Sequence, residues 1–312
     1  MASLKNTYDY IVVGAGSAGC VLANRLSEDP ENSVLLVEAG PADSSVFLKM
    51  PSAFAHAMNS WKYDWNYIGD PEPYLENRQL SCPRGRVLGG SSSINAMCFV
   101  RGHRLDFDCW AKATGFKYWA YNDCLPYFKK LETFSGGASE FRGGSGPVSV
   151  IAPQFSNILC DVFARASSEV GYPWNPDTNG VQQEGFGLMD QMIRDGTRES
   201  GSTAYLKPVR QRNNLTIMCG SSVTKVSMQN KCARGVELRI NGSIRLIRAA
   251  RETILCAGSI NSPKLLMLSG IGPAQHLNQL GIEVIQNLSG VGRNLQDHRN
   301  VNVKYEQYII HI

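Results

Sequence analysis

The chain begins with runs of consecutive apolar residues that alternate with a helical pattern. Residues 8–13 and 33–38 form two such runs, which are typical of strands buried on both faces. Residues 17–28, which lie between them, have helical periodicity. Two parallel strands joined by a helix make a right-handed βαβ unit, so the sequence predicts a doubly wound α/β fold.

A period of two residues replaces this pattern in the later part of the chain. The strands it predicts occupy 215–218, 223–228, 233–240 and 243–249, and Asn241-Gly242 is a strong hairpin signal. A further apolar run at 253–256 is followed by a helical pattern from about 259 to 269. We therefore expect an antiparallel β element near 223–249, inserted before the chain returns to the parallel sheet.

The segments between these two regions give weaker signals. Residues 41–82 are rich in proline, aromatic and turn-forming residues and are predicted to form an extended surface excursion. Helices are predicted at 105–113, 121–133 and 155–170, with a short helical stretch at 202–212.

Composition narrows the class of protein. The 312 residues contain 31 Lys and Arg against 27 Asp and Glu, and the charges are scattered, which argues against nucleic acid as a partner. We find no apolar run long enough to span a bilayer. The nine cysteines contain no CxxC pair, so no zinc site is expected, and the first seven residues are too short for a targeting segment. These features predict either a cytoplasmic protein or one whose targeting segment is missing from this sequence.

The first candidate site follows the first predicted strand. Gly14-Ala15-Gly16-Ser17-Ala18-Gly19 opens the predicted helix, and Glu38 lies 19 residues further on. Gly14 allows a tight turn, Gly16 lets a phosphate approach the backbone, and Gly19 lets the helix pack against the strand. An acid at this spacing holds a ribose hydroxyl. The pattern predicts a dinucleotide whose pyrophosphate lies at a helix N-terminus.

Three further motifs are rich in glycine. They are Arg84-Gly85-Arg86-Val87-Leu88-Gly89-Gly90-Ser91-Ser92-Ser93-Ile94-Asn95, the stretch Gly258 to Gly272, and Gly290 to His298. The backbone of the first of them can lie flat against a large planar ligand and donate to phosphates. A flexible loop is the other interpretation of that segment.

Together the four motifs resemble those of the glucose–methanol–choline (GMC) family of flavin oxidoreductases. Arg84–Asn95 and Gly258–Gly272 resemble its two signatures, and the similarity runs from Tyr8 to about His298. The stretches 61–65, 100–103 and 179–187 resemble the choline-oxidising members of the family.

The resemblance implies FAD as the dinucleotide. It places Gly14 to Gly19 at the pyrophosphate, Glu38 at the ribose, and the backbone of Val223 at the adenine. The full set of expected cofactor contacts is Gly14, Gly16, Ser17, Ala18, Gly19, Glu38, Val87, Gly89, Gly90, Ser91, Asn95, Ala96, Met97, Cys98, Val223, Ala257 and Asp297. Val87 and Asn95 to Cys98 are expected to line the flavin ring. Ile94 stands where some members attach FAD through a histidine, so non-covalent FAD is expected.

The resemblance also implies an activity and a division of the chain. Residues 1–298 would be the FAD-binding region, with FAD-binding segments at about 1–150 and 213–298 and a substrate-side insertion at about 151–212. Residues 299–312 would begin an incomplete substrate domain. The implied reaction oxidises a choline-like alcohol to an aldehyde, with hydride transfer to flavin N5 and electrons passing on to a respiratory acceptor. Such proteins are typically located at the mitochondrial inner membrane.

No catalytic residue is identifiable in this chain, since the family's base region would lie beyond Ile312. None of His56, His103, His276, His298 and His311 matches it, and His298 is expected to have a structural or FAD-contact role. Asp297 has no partner spacing for a metal site. We therefore expect impaired turnover. The alternatives are a catalytically silent FAD-binding or interaction fragment, or an oxidase that uses oxygen.

Overall fold

The computed structural model of the chain describes residues 4–152, 158–297 and 301–303. Its main sheet has six strands, labelled β1 to β6 in chain order. Their bounds are Thr7–Val13 (β1), Val34–Val37 (β2), Leu215–Met218 (β3), Ser222–Gln229 (β4), Cys232–Ile240 (β5) and Ser243–Leu255 (β6). The order across the sheet is β3-β2-β1-β6-β5-β4. The first four strands in that order pair in parallel, and β6, β5 and β4 pair antiparallel.

Helices surround this sheet and fill the connections. The longer ones are α1 (Ser17–Leu26), α2 (Arg104–Thr114), α3 (Tyr121–Leu131), α4 (Ile158–Glu169), α5 (Gly258–Leu268) and α6 (Ala274–Gln279). Short helices at Val46–Lys49 and Phe54–Met58 interrupt the predicted surface excursion. Two-stranded pairs join Tyr67–Ile68 to Ser81–Cys82, Cys98–Phe99 to Asp190–Gln191, and Glu132–Phe134 to Val148–Val150. The start of the helix predicted at 155–170 lies outside the described residues. Among the described helices, none has the length and apolarity that a membrane span requires.

Strand β6 differs from the sequence prediction, which places two strands at 243–249 and 253–256. It is one strand of 13 residues. Arg248 pairs with Gly235 of β5 on one side and with Thr7 of β1 on the other. The exposed Arg251 and Glu252 interrupt the apolar pattern, and the register with β1 shifts at Ala250 and Arg251 before pairing resumes between Glu252 and Tyr10. The antiparallel element is therefore continuous with the parallel sheet.

The sheet curves back on itself. Three residues, 219–221, join β3 to β4, although these strands end the sheet on opposite sides. Such a linker reaches at most about 15 Å, whereas five strand spacings in a flat sheet measure about 24 Å. Strands β4 to β6 must therefore fold over one face of the parallel strands. The hydrogen bond from Val226 N in β4 to Ser269 Oγ, just after α5, lies on that side (2.8 Å).

The alternation of side chains along β1 and β2 produces two hydrophobic cores. Val12 and Leu36 face α1, together with Leu206. Ile11 and Leu35 face β4 to β6. Both faces of the parallel sheet are thus covered, which explains why its strands are unbroken apolar runs.

The segment around Ser202–Leu206 belongs to the first of these cores, although the sequence places it in a substrate-side insertion. Asn24 Nδ2 of α1 donates to the Tyr205 carbonyl (2.6 Å), and Tyr205 and Leu206 are buried in the same core as α1. The division of the chain at about 151 and 212 stays a prediction.

Candidate functional site

The turn between β1 and α1 is built by its glycines. Gly14 has φ +97°, and a Cβ on it would lie 2.6 Å from the Cys256 carbonyl oxygen. A Cβ on Gly19 would lie 1.9 Å from the Gly14 carbonyl oxygen. Gly16 is different, because a Cβ there meets only the Cα of Gly90, at 4.0 Å. The fold therefore requires glycine at 14 and 19, while glycine at 16 leaves open space beside the N-terminus of α1.

A second glycine turn lies directly against the first. Gly89 N donates to the Ala15 carbonyl (2.8 Å), and Gly89 and Gly90 have φ of +92° and +57°. A Cβ on Gly90 would lie 2.7 Å from the Cα of Gly16. Two motifs more than 70 residues apart in the sequence thus meet through their backbones. Ser17 and Ala18, at the start of α1, are exposed beside this contact.

Glu38 stabilises the turn between β1 and α1 through its side-chain carboxyl group. Its side chain is 5% exposed, with Oε2 accepting from Ala15 N (3.0 Å) and Oε1 from Gly40 N (2.8 Å). Burial raises the pKa of Glu38, although these backbone N–H groups oppose the shift. Ser221 N donates to the Glu38 carbonyl (3.0 Å), which holds the start of β4, and with it Val223, next to this acid. Two carboxylate oxygens have about four acceptor positions, so Glu38 retains acceptor capacity for ribose hydroxyls.

The segment expected to line the flavin follows the second glycine turn. Ser91 and Cys98 are exposed at its two ends. Asn95 and Ala96 are half-buried, and Met97 is buried with φ +62°.

Two of the other expected contacts sit deeper or at a helix start. Val87 is fully buried among Leu48, Ala57 and Ile94, and its carbonyl accepts from Gly90 N (2.7 Å), so its contact with the flavin stays a prediction. Ala257 lies just before α5 and donates its N–H to Ser262 Oγ (3.1 Å).

Of the last glycine-rich motif, Gly290 to His298, Asp297 is the expected cofactor contact. The Asp297 side chain is 86% exposed and lies 4.0 Å from Arg84 Nη2, at the start of the second motif. His298 and His311 lie outside the described residues. Within the described ranges, no group of His, Cys, Asp and Glu side chains has an arrangement that could hold a metal ion.

Arg198 is a site residue that sequence reasoning missed. Its Nη1 donates to the carbonyl oxygen of Asn95 (2.6 Å) and to the Asn95 side chain (2.9 Å), and its Nε donates to the Leu48 carbonyl (2.9 Å). Close by, Gly201 N donates to Ser92 Oγ (2.9 Å). No spacing rule links residues about 100 positions apart, so the sequence carries no signal for these contacts.

Buried hydrogen-bond donors without partners lie within the segment from 84 to 101 and beside it. In the part of the chain that the structure describes, Arg86 Nε, Arg101 Nε and Arg198 Nη2 are buried without a hydrogen-bond partner. An anionic dinucleotide has many acceptor atoms and is chemically suited to a site with unpaired donors. The open space beside Gly16, at the N-terminus of α1, is suited to its phosphates. The residues present therefore fit FAD.

A buried charge network joins residues 101, 132 and 142 to the segment from 177 to 190. Glu132 is fully buried and accepts from Arg101 Nη2 (2.8 Å) and Arg142 Nε (3.0 Å). Arg142 also binds Asp177 (2.7 Å) and Asp190 (2.9 Å). Burial lowers the pKa of Arg142, but the hydrogen bond and charge of Glu132 outweigh this and raise it. The network ties the chain just after the flavin-lining segment to the loops around it.

His103 caps α2 at the edge of an open cavity of about 370 Å³. Its Nδ1 accepts from Leu105 N (3.2 Å), Asp106 Oδ2 accepts from His103 N (3.1 Å), and its Nε2 lies 3.1 Å from Glu184 Oε1. Nδ1 acts as an acceptor, which is the role of a helix cap.

This fold is shared with a known class of flavoenzymes. The sequence profile of the GMC oxidoreductase family matches residues 8–300. The chain therefore belongs to the GMC oxidoreductase family, whose members are FAD-dependent, and it contains the family's FAD-binding domain.

Choline dehydrogenases are among the similar curated proteins. An "Oxygen-dependent choline dehydrogenase" of Photobacterium profundum is 49% identical over 310 residues, covering 99% of this chain and 54% of that protein. A protein of the same name from Rhizobium etli (strain CIAT 652) is 49% identical over 290 residues, covering 93% of this chain and 52% of that protein. The chain spans about half the length of these curated relatives. Both are bacterial, so they do not support the expected mitochondrial location, and the location of this protein stays a prediction.

Solved structures confirm the doubly wound fold with its antiparallel element. Pyridoxine 4-oxidase from Mesorbium loti has a TM-score of 0.90 and 36% identity, covering 93% of this chain and 57% of that one. Formate oxidase from Aspergillus oryzae has a TM-score of 0.87 and 31% identity, covering 95% and 53%.

Proposed function

We propose that this chain is the FAD-binding part of an enzyme that oxidises a small choline-like alcohol to an aldehyde. The observation that carries the proposal is the contact between Gly16 and Gly90, which joins the dinucleotide turn to the flavin-lining segment. The similarity to choline dehydrogenases over nearly the whole chain supports choline as the type of substrate.

Each part of the candidate FAD site has a role in this proposal. The backbone N–H groups at the start of α1, from Ser17 to Gly19, bind the pyrophosphate, because no residue within the helix can accept from them. Glu38 holds the ribose while it fixes Ala15. Asn95 to Cys98 face the flavin ring. When bound, FAD supplies the hydride acceptor at flavin N5.

The base that takes the hydroxyl proton is proposed to come from the part of the longer relatives that this chain does not span. Three histidines are described, and the structure gives two of them packing or capping contacts: His103 caps α2, and His56 packs on Phe47 with ring centroids 4.7 Å apart. Loss of an acid–base group removes about 10²–10⁴-fold in rate. Residues 1–312 alone should therefore bind FAD but turn over slowly.

The decisive experiment compares the visible spectra of the wild type and G16A after reconstitution with FAD and removal of free FAD. The added methyl group would meet no protein atom nearer than 4.0 Å, so G16A should fold normally. The same methyl group would occupy the space proposed for the pyrophosphate, so bound flavin absorbance should fall at least about tenfold. A folded but colourless wild type would overturn the proposal, and so would a G16A variant that stays as yellow as the wild type.

Oxygen is a second candidate for the electron acceptor. The relatives favour oxygen, since they include an oxygen-dependent dehydrogenase, a pyridoxine oxidase and a formate oxidase. Hydrogen peroxide released with choline in air would identify the oxidase reaction. Reduction of an artificial dye without peroxide would favour a respiratory acceptor, and absence of both would indicate a catalytically silent FAD-binding chain.

A further inference from the structure

Arg198 is a deeply buried cation with no ion pair among the described residues. Its exposed fraction is 3%, and its recorded partners are backbone carbonyls and the Asn95 side chain. The other deeply buried arginines, Arg101 and Arg142, both pair with Glu132. Burying a charge without a counter-charge is costly, and here burial lowers the pKa of Arg198 to about 10.

The contacts of Arg198 are concentrated on the flavin-lining segment. Nη1 reaches the carbonyls of Ser92 (3.3 Å) and Asn95 (2.6 Å), as well as Asn95 Oδ1 (2.9 Å). That same Oδ1 accepts from Met97 N (3.0 Å), which fixes the positive φ of Met97. A single guanidinium therefore sets the shape of the segment from 92 to 97. Its Nη2 remains buried without a partner in the described part of the chain.

We propose that Arg198 is a positioning residue for the flavin-lining segment and that its charge favours the reduced form of bound FAD. This inference rests on the proposed function. In that reaction the hydroxyl proton of the alcohol goes to a base, and a hydride leaves the alcohol carbon for flavin N5. The cofactor therefore gains two electrons, one proton and one negative charge. A fixed cation in a dry site stabilises that added charge, and the charge in turn compensates the buried guanidinium.

The test measures the midpoint potential of bound FAD in the wild type, R198M and R198K. R198M removes the charge and the hydrogen bonds, and R198K keeps the charge with fewer donors. The matched control is R212M, because Arg212 Nη1 also donates to a backbone carbonyl, that of Asn24 (2.6 Å), at the far end of α1. Hydrogen exchange of the FAD-free proteins reports the order of residues 92–97.

In R198M we expect the equilibrium constant for reduction of bound FAD to fall about tenfold, which corresponds to about 30 mV for a two-electron couple. R198K should stay within about twofold of the wild type in that constant. Both variants should lose exchange protection at residues 92–97, while R212M should change neither measurement. If R198M does not fold, R198Q removes the charge and keeps hydrogen-bond donors, and it should give the same tenfold change.

The outcomes separate this inference from the proposed function. A wild type that binds no FAD overturns both, and this is seen before any variant is compared. FAD bound at an unchanged potential in R198M or R198Q overturns the inference alone. So does a shift in R198K as large as that in R198M, or an equal shift in R212M, because charge at position 198 would then not be its cause.

Discussion

The Cα of Gly16 lies 2.7 Å from the position that a Cβ on Gly90 would occupy, so the two glycine turns touch backbone to backbone. The contact is reinforced by the hydrogen bond from Gly89 N to the Ala15 carbonyl (2.8 Å). It fixes the start of the segment expected to line the flavin, residues 91–98, relative to the N-terminus of α1. The alignment of the two glycine turns thus depends on the absence of one methyl group.

The variant G90A should lose FAD binding at least about tenfold, because its methyl group would push the two turns apart and its φ of +57° is strained for alanine. Titration of the purified protein with FAD, followed by flavin fluorescence, measures the change. G242A is the control, since Gly242 also has a positive φ but no atom within 4 Å of its Cβ position. Equal affinities for G90A and G242A would show that the contact is not needed.

Glu38 should make the FAD-free protein less stable as the pH rises. Burial raises its pKa above the usual 4.5, so the folded protein retains a proton that the unfolded chain releases. The stability this carboxyl contributes is therefore complete below about pH 4.5 and declines as the pH rises through the raised value. Urea unfolding between about pH 5 and pH 7 should show a steeper decline for the wild type than for E38Q.

The same variant tests the hydrogen bonds of Glu38. A glutamine offers one acceptor oxygen to Ala15 N and Gly40 N, so E38Q should lower the free energy of unfolding by about 1–3 kcal/mol at about pH 5. E31Q, a change at an exposed carboxyl, serves as the control. Parallel pH profiles for the wild type and E38Q would contradict the assigned role of burial.

Removing the charge of Glu132 should be strongly destabilising. E132Q leaves Arg101 and Arg142 buried without their shared carboxylate, and breaking a buried ion pair costs about 3–5 kcal/mol. Urea unfolding measures the loss. E28Q is the comparison, because the Arg25–Glu28 pair is exposed and should contribute at most about 1 kcal/mol. Similar losses in the two variants would argue against a structural role for the network.

His103 should be replaceable by asparagine but not by alanine. Its Nδ1 caps α2 by accepting from Leu105 N, and asparagine is a good N-cap whereas alanine is not. We expect H103A to lose about 1 kcal/mol in the free energy of unfolding and H103N to lose much less. If the two variants lose the same amount, the contribution of His103 comes from Glu184 rather than from the cap.

Bound FAD should be released by acid. Ile94 stands where a linking histidine occurs in some family members, and its side chain is 3% exposed among Leu48, Ala57 and Val87. It offers no atom for a covalent bond to flavin. After acid precipitation of the FAD-loaded protein, the flavin should be in the supernatant. Yellow colour retained in the washed pellet would refute this expectation.

The parallel part of the fold was predictable because its signals are local. Buried parallel strands are continuous apolar runs, and the glycine pattern marks the turn into α1. The unity of β6 was not predictable, because Arg251 and Glu252 look like a break. Only the pairing of β6 with β1 on both sides of the register shift at Arg251 shows that the strand continues.

The candidate site was predictable where the reason for a residue lies within its own motif. Gly19 is required by a contact within the turn, with the Gly14 carbonyl oxygen, and Gly14 is required by its own φ of +97°. The contacts of Arg198 depend on a segment about 100 residues away, and the meeting of Gly16 with Gly90 depends on the whole fold. Such long-range contacts leave no periodicity or spacing in the sequence.

The pairing of β1 with β6 also has a consequence for how the protein is made. Thr7 to Val13 leave the ribosome well before one of their two neighbouring strands, which ends only at Leu255. Strand β1 must wait until β6 has been synthesised, and such distant pairings are slow to form. During translation the apolar strand β1 therefore lacks a neighbour on one edge, which makes the nascent chain a natural client for a chaperone.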